Sequence, residues 1–275
     1  MLIKGAILEE MGRSFPYSKS LPISISKVEL SAHLEHEVLV RIESAGICHS
    51  DLAVVQGVRP RPTPMLLGHE AAGIVEDFGS EVRGLNCGDR VVMTFAPRCG
   101  NCAGCSSNGA MSCINGTKSN VAGELLSGGK RLTRDGKQIN HHLGVSAFAD
   151  YAVVDHRSIV KVDSDIPPQV AALLGCAVLT GGGALLNAVT LKRDLSVAIV
   201  GLGGVGLAAL ITAIALKTEK VYGIDLNQKK RANAMTLGAT AVFSGEDAIS
   251  EGLKADVVIE AVGVAKAFEL ALELT

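Results

Sequence analysis

Twenty-two consecutive residues, Leu195–Leu216, carry no charge, and what they form decides the class of the chain. A helix of that length reaches across a bilayer. The order of the residues argues for a different structure. Ser196–Val200 reads as a short β-strand, Gly201-Leu202-Gly203-Gly204-Val205-Gly206 interrupts it, and a helical stretch follows. A strand and a helix covered on both faces lack charge for the same reason a membrane span does. The segment is therefore read as strand, glycine turn and helix inside a protein core, and no membrane partner is expected.

The residues around it agree. After Asp163-Ser164-Asp165-Ile166-Pro167-Pro168 the chain alternates strand and helix. Strands fit at 196–200, 220–224, 240–243 and 255–259; helices fit at about 204–217, 227–237, 246–252 and 264–274. That alternation predicts a parallel sheet with crossover helices. Before the two prolines the texture differs. Val38–Ile42, Ala72–Val75 and Asp89–Met93 are β-rich runs separated by turn residues. Residues 97–147 are polar and glycine-rich with little helical period, and so long an irregular stretch needs an anchor. A boundary is expected near residue 164. With no Trp and only nine Phe and Tyr together, the core must be built from Val, Ile, Leu and Ala.

The glycine turn carries chemistry. Gly201-x-Gly203-x-x-Gly206 after a strand permits a tight turn and a close approach of backbone to a pyrophosphate, and the helix N-terminus offers free N–H groups to its oxygens. Asp225 ends the next strand. A carboxylate there accepts from the ribose hydroxyls and repels a 2′-phosphate, which favours NAD over NADP.

Cysteine spacing supplies the anchor. Cys99-x2-Cys102-x2-Cys105-x7-Cys113 can close four thiolates around Zn(II). With every position filled by protein, such a site is structural; the alternatives are a disulfide pair or idle thiols. The start, MLIKGAILEE, has no signal-peptide pattern, so a cytoplasmic location is expected, where thiols stay reduced or bind metal. A second pattern is dispersed over Cys48-His49-Ser50-Asp51, Gly68-His69-Glu70 and Leu174-Gly175-Cys176. Two Cys and one His make a catalytic zinc set, but the spacing alone does not join them.

Together these residues resemble the zinc-dependent alcohol dehydrogenases of the medium-chain dehydrogenase/reductase family. Gly68-His69-Glu70-x2-Gly73-x5-Gly79-x2-Val82, the four-cysteine lobe, Asn86-Cys87-Gly88-Asp89-Arg90-Val91, His141-His142-Leu143-Gly144, Leu174-Gly175-Cys176 and the glycine turn occur in the family's order. The resemblance implies an α/β chain. Residues 1–164 would form a GroES-like β-rich catalytic domain with its zinc lobe at about 97–115. Residues 165–275 would form an incomplete Rossmann domain, a doubly wound parallel sheet. It implies two zinc ions, one held by Cys48, His69 and Cys176 and one by the lobe. It implies that Ser50 takes the alcohol proton, that Asp51 orients the zinc histidine, and that Glu70 approaches the metal. His49, Thr180, Val205 and Lys230 would stand beside NAD, and Phe95 would line the substrate pocket. The substrate would be a small alcohol or aldehyde, and the full-length parent a homo-oligomer.

Two departures matter. The family's relay histidine, three residues after the Ser/Thr, is Ala53 here. A doubly wound dinucleotide domain has about six strands, and only four fit before Thr275, so the chain reads as a C-terminal truncation with an unpaired sheet edge. Cys48-His49-Ser50-Asp51 also resembles the glutathione-dependent formaldehyde dehydrogenases. A truncated, non-catalytic, zinc-stabilised chain is a further reading. A nucleic-acid-binding zinc ribbon is not favoured: the formal charge is −2. Lys118, Lys130, Arg131, Arg134 and Lys137 are diluted by Glu124 and Asp135, without aromatics to stack bases. His141 and His142 are expected to pack rather than bind metal, because neighbours on a strand point apart.

Overall fold

The computed structural model describes residues 1–189 and 194–275, and the chain divides into two compact units, Met1–Cys176 and Ala177–Thr275. The first contains β1 (Leu2–Leu8), α1 (Tyr17–Ser20), β2 (Ile23–Leu30), β3 (Glu37–Ala45), α2 (His49–Val55), β4 (Met65–Leu66) and β5 (Ala71–Phe78). After β6 (Arg90–Met93) come α3 (Ala103–Ser106), α4 (Ile114–Ala122), β7 (Leu132–Arg134), β8 (Lys137–His141), β9 (Tyr151–Asp155), β10 (Ile159–Lys161) and α5 (Pro168–Leu173).

Two β layers share this unit. A closed barrel runs β1-β2-β7-β8-β4, and a five-stranded sheet runs β10-β6-β5-β3-β9. Side chains alternate across a strand, and β9 uses both faces. Ala152 and Val154 join Val38, Val40, Val75 and Val91 in one core, while Val153 joins Ile7, Val28, Leu66 and Ile139 in the barrel core. A single strand thus ties the two layers together, and each fully buried Val or Ile contributes about 1.5–3 kcal/mol of transfer free energy.

The stretch 97–147 is more regular than its composition suggests. It contains the nine-residue helix α4, whose start is capped by the Cys113 sulfur accepting from the Gly116 N–H. It also contains the β7–β8 hairpin. Its two-residue turn is Asp135-Gly136, both at positive φ (52° and 73°), the pattern that the right-handed twist of paired strands favours. Both signals stood in the sequence and were overridden by its polar composition.

The division also falls later than the boundary expected near residue 164. Ala171 and Ala172 of α5 pack on Ala72 of β5 and Val92 of β6, so the residues up to Cys176 belong to the sheet unit. The two prolines start α5 at its N-terminal turn, where a missing N–H costs nothing.

The second unit holds α6 (Leu179–Ala188), β11 (Ser196–Val200), α7 (Gly204–Ala215), β12 (Lys220–Ile224), α8 (Gln228–Thr236), β13 (Ala241–Phe243), α9 (Gly245–Ser250), β14 (Val257–Glu260) and α10 (Ala265–Glu273). Its sheet is parallel, ordered β13-β12-β11-β14. The uncharged stretch is β11 and α7, with every residue of β11 buried. The expected doubly wound unit is present, with four strands among the described residues. By length and hydropathy alone, the helical stretch Pro168–Ala188 could also cross a membrane. Its Ala171, Ala172, Gly175 and Cys176 are instead buried in the first unit, and Gly181, Gly182 and Leu185 in the second.

Candidate active site and metal centres

Strand register brings the dispersed residues together. β3 and β5 are antiparallel, with Ala45 opposite Ala71, and the Gly46 N–H extends the ladder to the Glu70 carbonyl at 3.0 Å. Cys48 lies three residues past the end of β3, and His69 two before the start of β5, so the pairing places them side by side. β6 continues the argument. Ala71 faces Met93, which sets Phe95 beside His69; the rings meet edge to face at 5.6 Å. Cys176 arrives on a π-helical turn, Leu174–Val178, directly after α5. Such turns push one residue out of the helical ladder and recur at functional sites.

The Cys48 and Cys176 sulfurs are 3.9 Å apart, and Cys176 Sγ is 3.4 Å from His69 Nε2. A tetrahedral zinc with Zn–S of ~2.3 Å and Zn–N of ~2.0–2.1 Å needs separations of about 3.8 and 3.6 Å. The three donors therefore fit zinc as they stand. Asp51 holds them. Its Oδ1 accepts from His69 Nδ1 at 3.0 Å, and its Oδ2 accepts from the Cys48 N–H at 3.0 Å. That bond and the Ser50 N–H to Cys48 Sγ make a capping box at the start of α2. One carboxylate thus fixes the ring of one ligand and the backbone of another.

Charges in the cluster are strongly coupled. Hydrogen bonding from Cys176 and the His69 imidazole bring the Cys48 thiol down to about 3. The same thiolate, together with burial, pushes Cys176 up. Burial disfavours a charged His69, but Asp51 and Cys48 outweigh it and lift the ring to about 9. Burial would also raise Asp51, yet contacts with His142 and His69 hold its carboxyl below the usual range. Zinc binding at neutral pH must then displace protons from Cys176 and from His69 Nε2.

Two neighbours adjoin these ligands: His142, expected from the sequence only to pack, and Gly46, which the sequence did not single out. His142 is buried, with Nδ1 3.2 Å from Asp51 Oδ1 but off the hydrogen-bonding direction, and its ring is 5.2 Å from that of His69. His141 behaves as expected of a packed residue: its Nε2 accepts from the Arg131 N–H at 3.0 Å, and burial drives it down to about 3. The adjacent pair at a strand end was the available signal, since opposite directions let one ring pack while the other reaches Asp51. Gly46 is the second neighbour: a Cβ there would strike the carboxylate of Glu70, which is buried beside it. Ser50 is half-buried on α2, and His49 is exposed.

In the lobe, sulfur separations are 3.8 Å for Cys99–Cys105, 3.6 Å for Cys102–Cys105 and 3.8 Å for Cys102–Cys113. All match the tetrahedral value. Backbone N–H groups of Cys99, Gly100, Ile114 and Gly116 donate to these sulfurs at 3.3–3.4 Å. The Asn115 amide donates to Cys99. Donors from Cys105 and Ile114 hold Cys102 down at about 6. Converging N–H groups stabilise thiolates, so the loop is built for a tetrathiolate metal. Cys87 is exposed and away from both clusters.

In the second unit, Gly201 adopts φ +94°, and a Cβ on Gly206 would run into the Gly201 carbonyl oxygen. Nothing lies within 4 Å of the place a Gly203 Cβ would occupy. The turn is thus closed on the protein side and clear beside the N-terminus of α7, the shape a pyrophosphate needs. Asp225 Oδ2 accepts from the Leu202 N–H at 2.8 Å, and Lys230 Nζ is 3.5 Å away. Each carboxylate oxygen retains a second lone pair. Val205 follows the turn, and a Cβ on Gly181, next to the exposed Thr180, would meet the Val205 carbonyl.

A three-donor zinc set on a β-barrel unit and a glycine turn on a parallel sheet define a zinc-dependent dehydrogenase. Comparison with known proteins agrees. Residues 34–164 match the alcohol dehydrogenase GroES-like domain, and residues 204–275 match the zinc-binding dehydrogenase domain. An alcohol dehydrogenase zinc-binding domain protein from Burkholderia ambifaria is 30% identical, with a TM-score of 0.90, over 100% of this chain and 74% of that one. Benzyl alcohol dehydrogenase from Acinetobacter calcoaceticus is 27% identical, with a TM-score of 0.87 and the same coverage. A putative zinc-binding dehydrogenase from Sinorhizobium meliloti, bound to NADP, is 26% identical over the same shares, with a TM-score of 0.76. The chain belongs to the zinc-dependent alcohol dehydrogenases of the medium-chain dehydrogenase/reductase family.

Proposed function

We propose that the protein reversibly oxidises an alcohol to an aldehyde or ketone with NAD, using one catalytic and one structural zinc. The observation that carries this is the Cys48–His69–Cys176 set, three donors at zinc-ligand separations, beside a lobe where four cysteines meet. Zinc at the three-donor set supplies Lewis-acid polarisation of the substrate oxygen, and the nicotinamide accepts the hydride. The alcohol carbon loses a hydride to NAD, its hydroxyl loses a proton, and a carbonyl and NADH result.

The chain's own residues orient and move protons. Asp51 keeps His69 in the tautomer that leaves Nε2 free for metal. Ser50, two residues after Cys48 at the start of α2, accepts the hydroxyl proton. Glu70, pressed against Gly46, stands where it can assist exchange at the metal. Phe95 packs on His69 and narrows the substrate space. The turn at Gly201, Gly203 and Gly206 receives the pyrophosphate. Thr180 and Val205 flank the nicotinamide. Asp225 accepts from the adenosine ribose with Lys230 beside it, which favours NAD over the NADP bound by the Sinorhizobium protein. Steady-state NADH formation with benzyl alcohol, ethanol and a secondary alcohol tests the reading. Turnover that is abolished by Cys176→Ser supports it; zinc-loaded protein inert towards all three, in both directions, would contradict it.

A further inference from the structure

The loop after α2, Gln56-Gly57-Val58-Arg59-Pro60-Arg61-Pro62-Thr63-Pro64, carries two arginines that the reading above does not use. It folds back on the helix: the Arg59 N–H donates to the Ala53 carbonyl at 3.1 Å. Arg59 therefore stands over the position where a relay histidine is missing, and its Nη1 reaches Ser50 Oγ at 3.5 Å. A guanidinium does not give up its proton near neutrality, so Arg59 cannot replace the histidine as a base. Its chemistry is the binding of anions.

The other arginines show what is unusual here. Seven of those in the described residues are ion-paired. Arg98 and Arg231 each donate to two backbone carbonyls. Arg59 and Arg61 have neither arrangement among the described residues. Arg59 has its long contact to Ser50. Arg61 Nη1 has one bond of 3.4 Å to the Pro60 carbonyl, and its Nε is buried without a partner. A buried donor left unmet is costly, which points to a ligand. Prolines at 60, 62 and 64 limit the backbone freedom of the loop, so little entropy is lost when an anion docks.

We propose that Arg59 and Arg61 hold an anionic group of the substrate, so that the alcohol oxidised here bears a carboxylate. This rests on the proposed function and narrows it to a substrate class. The anionic group takes no part in the reaction: hydride leaves the carbinol carbon for NAD, the proton leaves through Ser50, and the carboxylate keeps its charge.

The test compares 4-(hydroxymethyl)benzoate with benzyl alcohol on the wild type and on an Arg59→Gln/Arg61→Gln double variant. Two charge-assisted hydrogen bonds are worth roughly 10²–10⁴-fold in affinity. The wild type is expected to favour the carboxylate by about that factor in kcat/KM. The double variant loses the preference through KM, with zinc content and NADH affinity unchanged. An equal preference in both proteins overturns the proposal. So does a variant whose loss falls on NADH affinity, because the anion would then be the cofactor's pyrophosphate. If neither alcohol is turned over, the proposed function fails by itself, and saturation-transfer NMR of 4-(hydroxymethyl)benzoate still decides. Binding lost in the variant supports the anion site, and equal binding excludes it.

Discussion

At the residue scale, the centre depends on side chains that serve two partners at once. Asp51 ties the His69 ring to the Cys48 backbone, and Asp225 ties the glycine turn to the strand that follows it. The Ser50 hydroxyl has looser partners: it lies 3.5 Å from Arg59 Nη1 and helps to lower the Cys48 thiol. Ser50→Ala is therefore expected to keep zinc and NADH binding while kcat falls about 10²–10⁴-fold, the usual scale for a lost proton acceptor. Normal turnover would clear Ser50 of that role. Asp225→Ser should raise the NAD dissociation constant roughly ten-fold or more, since hydrogen bonds to a charged group contribute ~1.5–3 kcal/mol, and should narrow or reverse the preference over NADP. Fluorescence titration with NADH and NADPH reads this directly; an unchanged ratio would remove Asp225 from the ribose.

At the element scale, two clamps hold the first unit together. Arg131, on the segment leading into β7, makes a bidentate pair with Glu37 at the start of β3, at 2.8 and 2.6 Å, with Glu37 fully buried. Glu37→Gln leaves a buried guanidinium without its counter-charge and should cost about 3–5 kcal/mol in urea unfolding. The lobe is the second clamp. Cys102→Ser should lower the melting temperature and release one zinc, whereas a variant that is stable and merely slow would show that the lobe is not structural. This is also the scale at which the sequence was hardest to read. Strand and helix periods located the second unit because β11 and α7 at its centre are apolar throughout. The α4 helix and the β7–β8 hairpin escaped because their polar composition outweighs two short signals, the Cys113 cap and Asp135-Gly136. Antiparallel pairing of β3, β5 and β6 is non-local, so spacing could name Cys48 and His69 but not join them. The register does so, through Ala45 opposite Ala71. Nothing in spacing could show that Arg59 returns to Ala53, because a loop's path depends on what it meets.

At the scale of the whole molecule, the chain covers about three quarters of the length of its structural relatives, 74% for the first two. All seven proposed zinc donors nevertheless lie within the first unit, Met1–Cys176. Cys176 is its last residue, carried there because α5 packs on the β5–β6 face. Metal binding is therefore expected to need only residues of this chain. Elemental analysis of zinc per chain, on protein purified without added metal, tests this most directly when run beside a Cys176→Ser variant. Two zincs in the wild type and one in the variant are expected, the remaining ion being the lobe's. A single zinc in both proteins, lost on Cys102→Ser, would mean that Cys48, His69 and Cys176 do not hold a metal, and would contradict the catalytic reading.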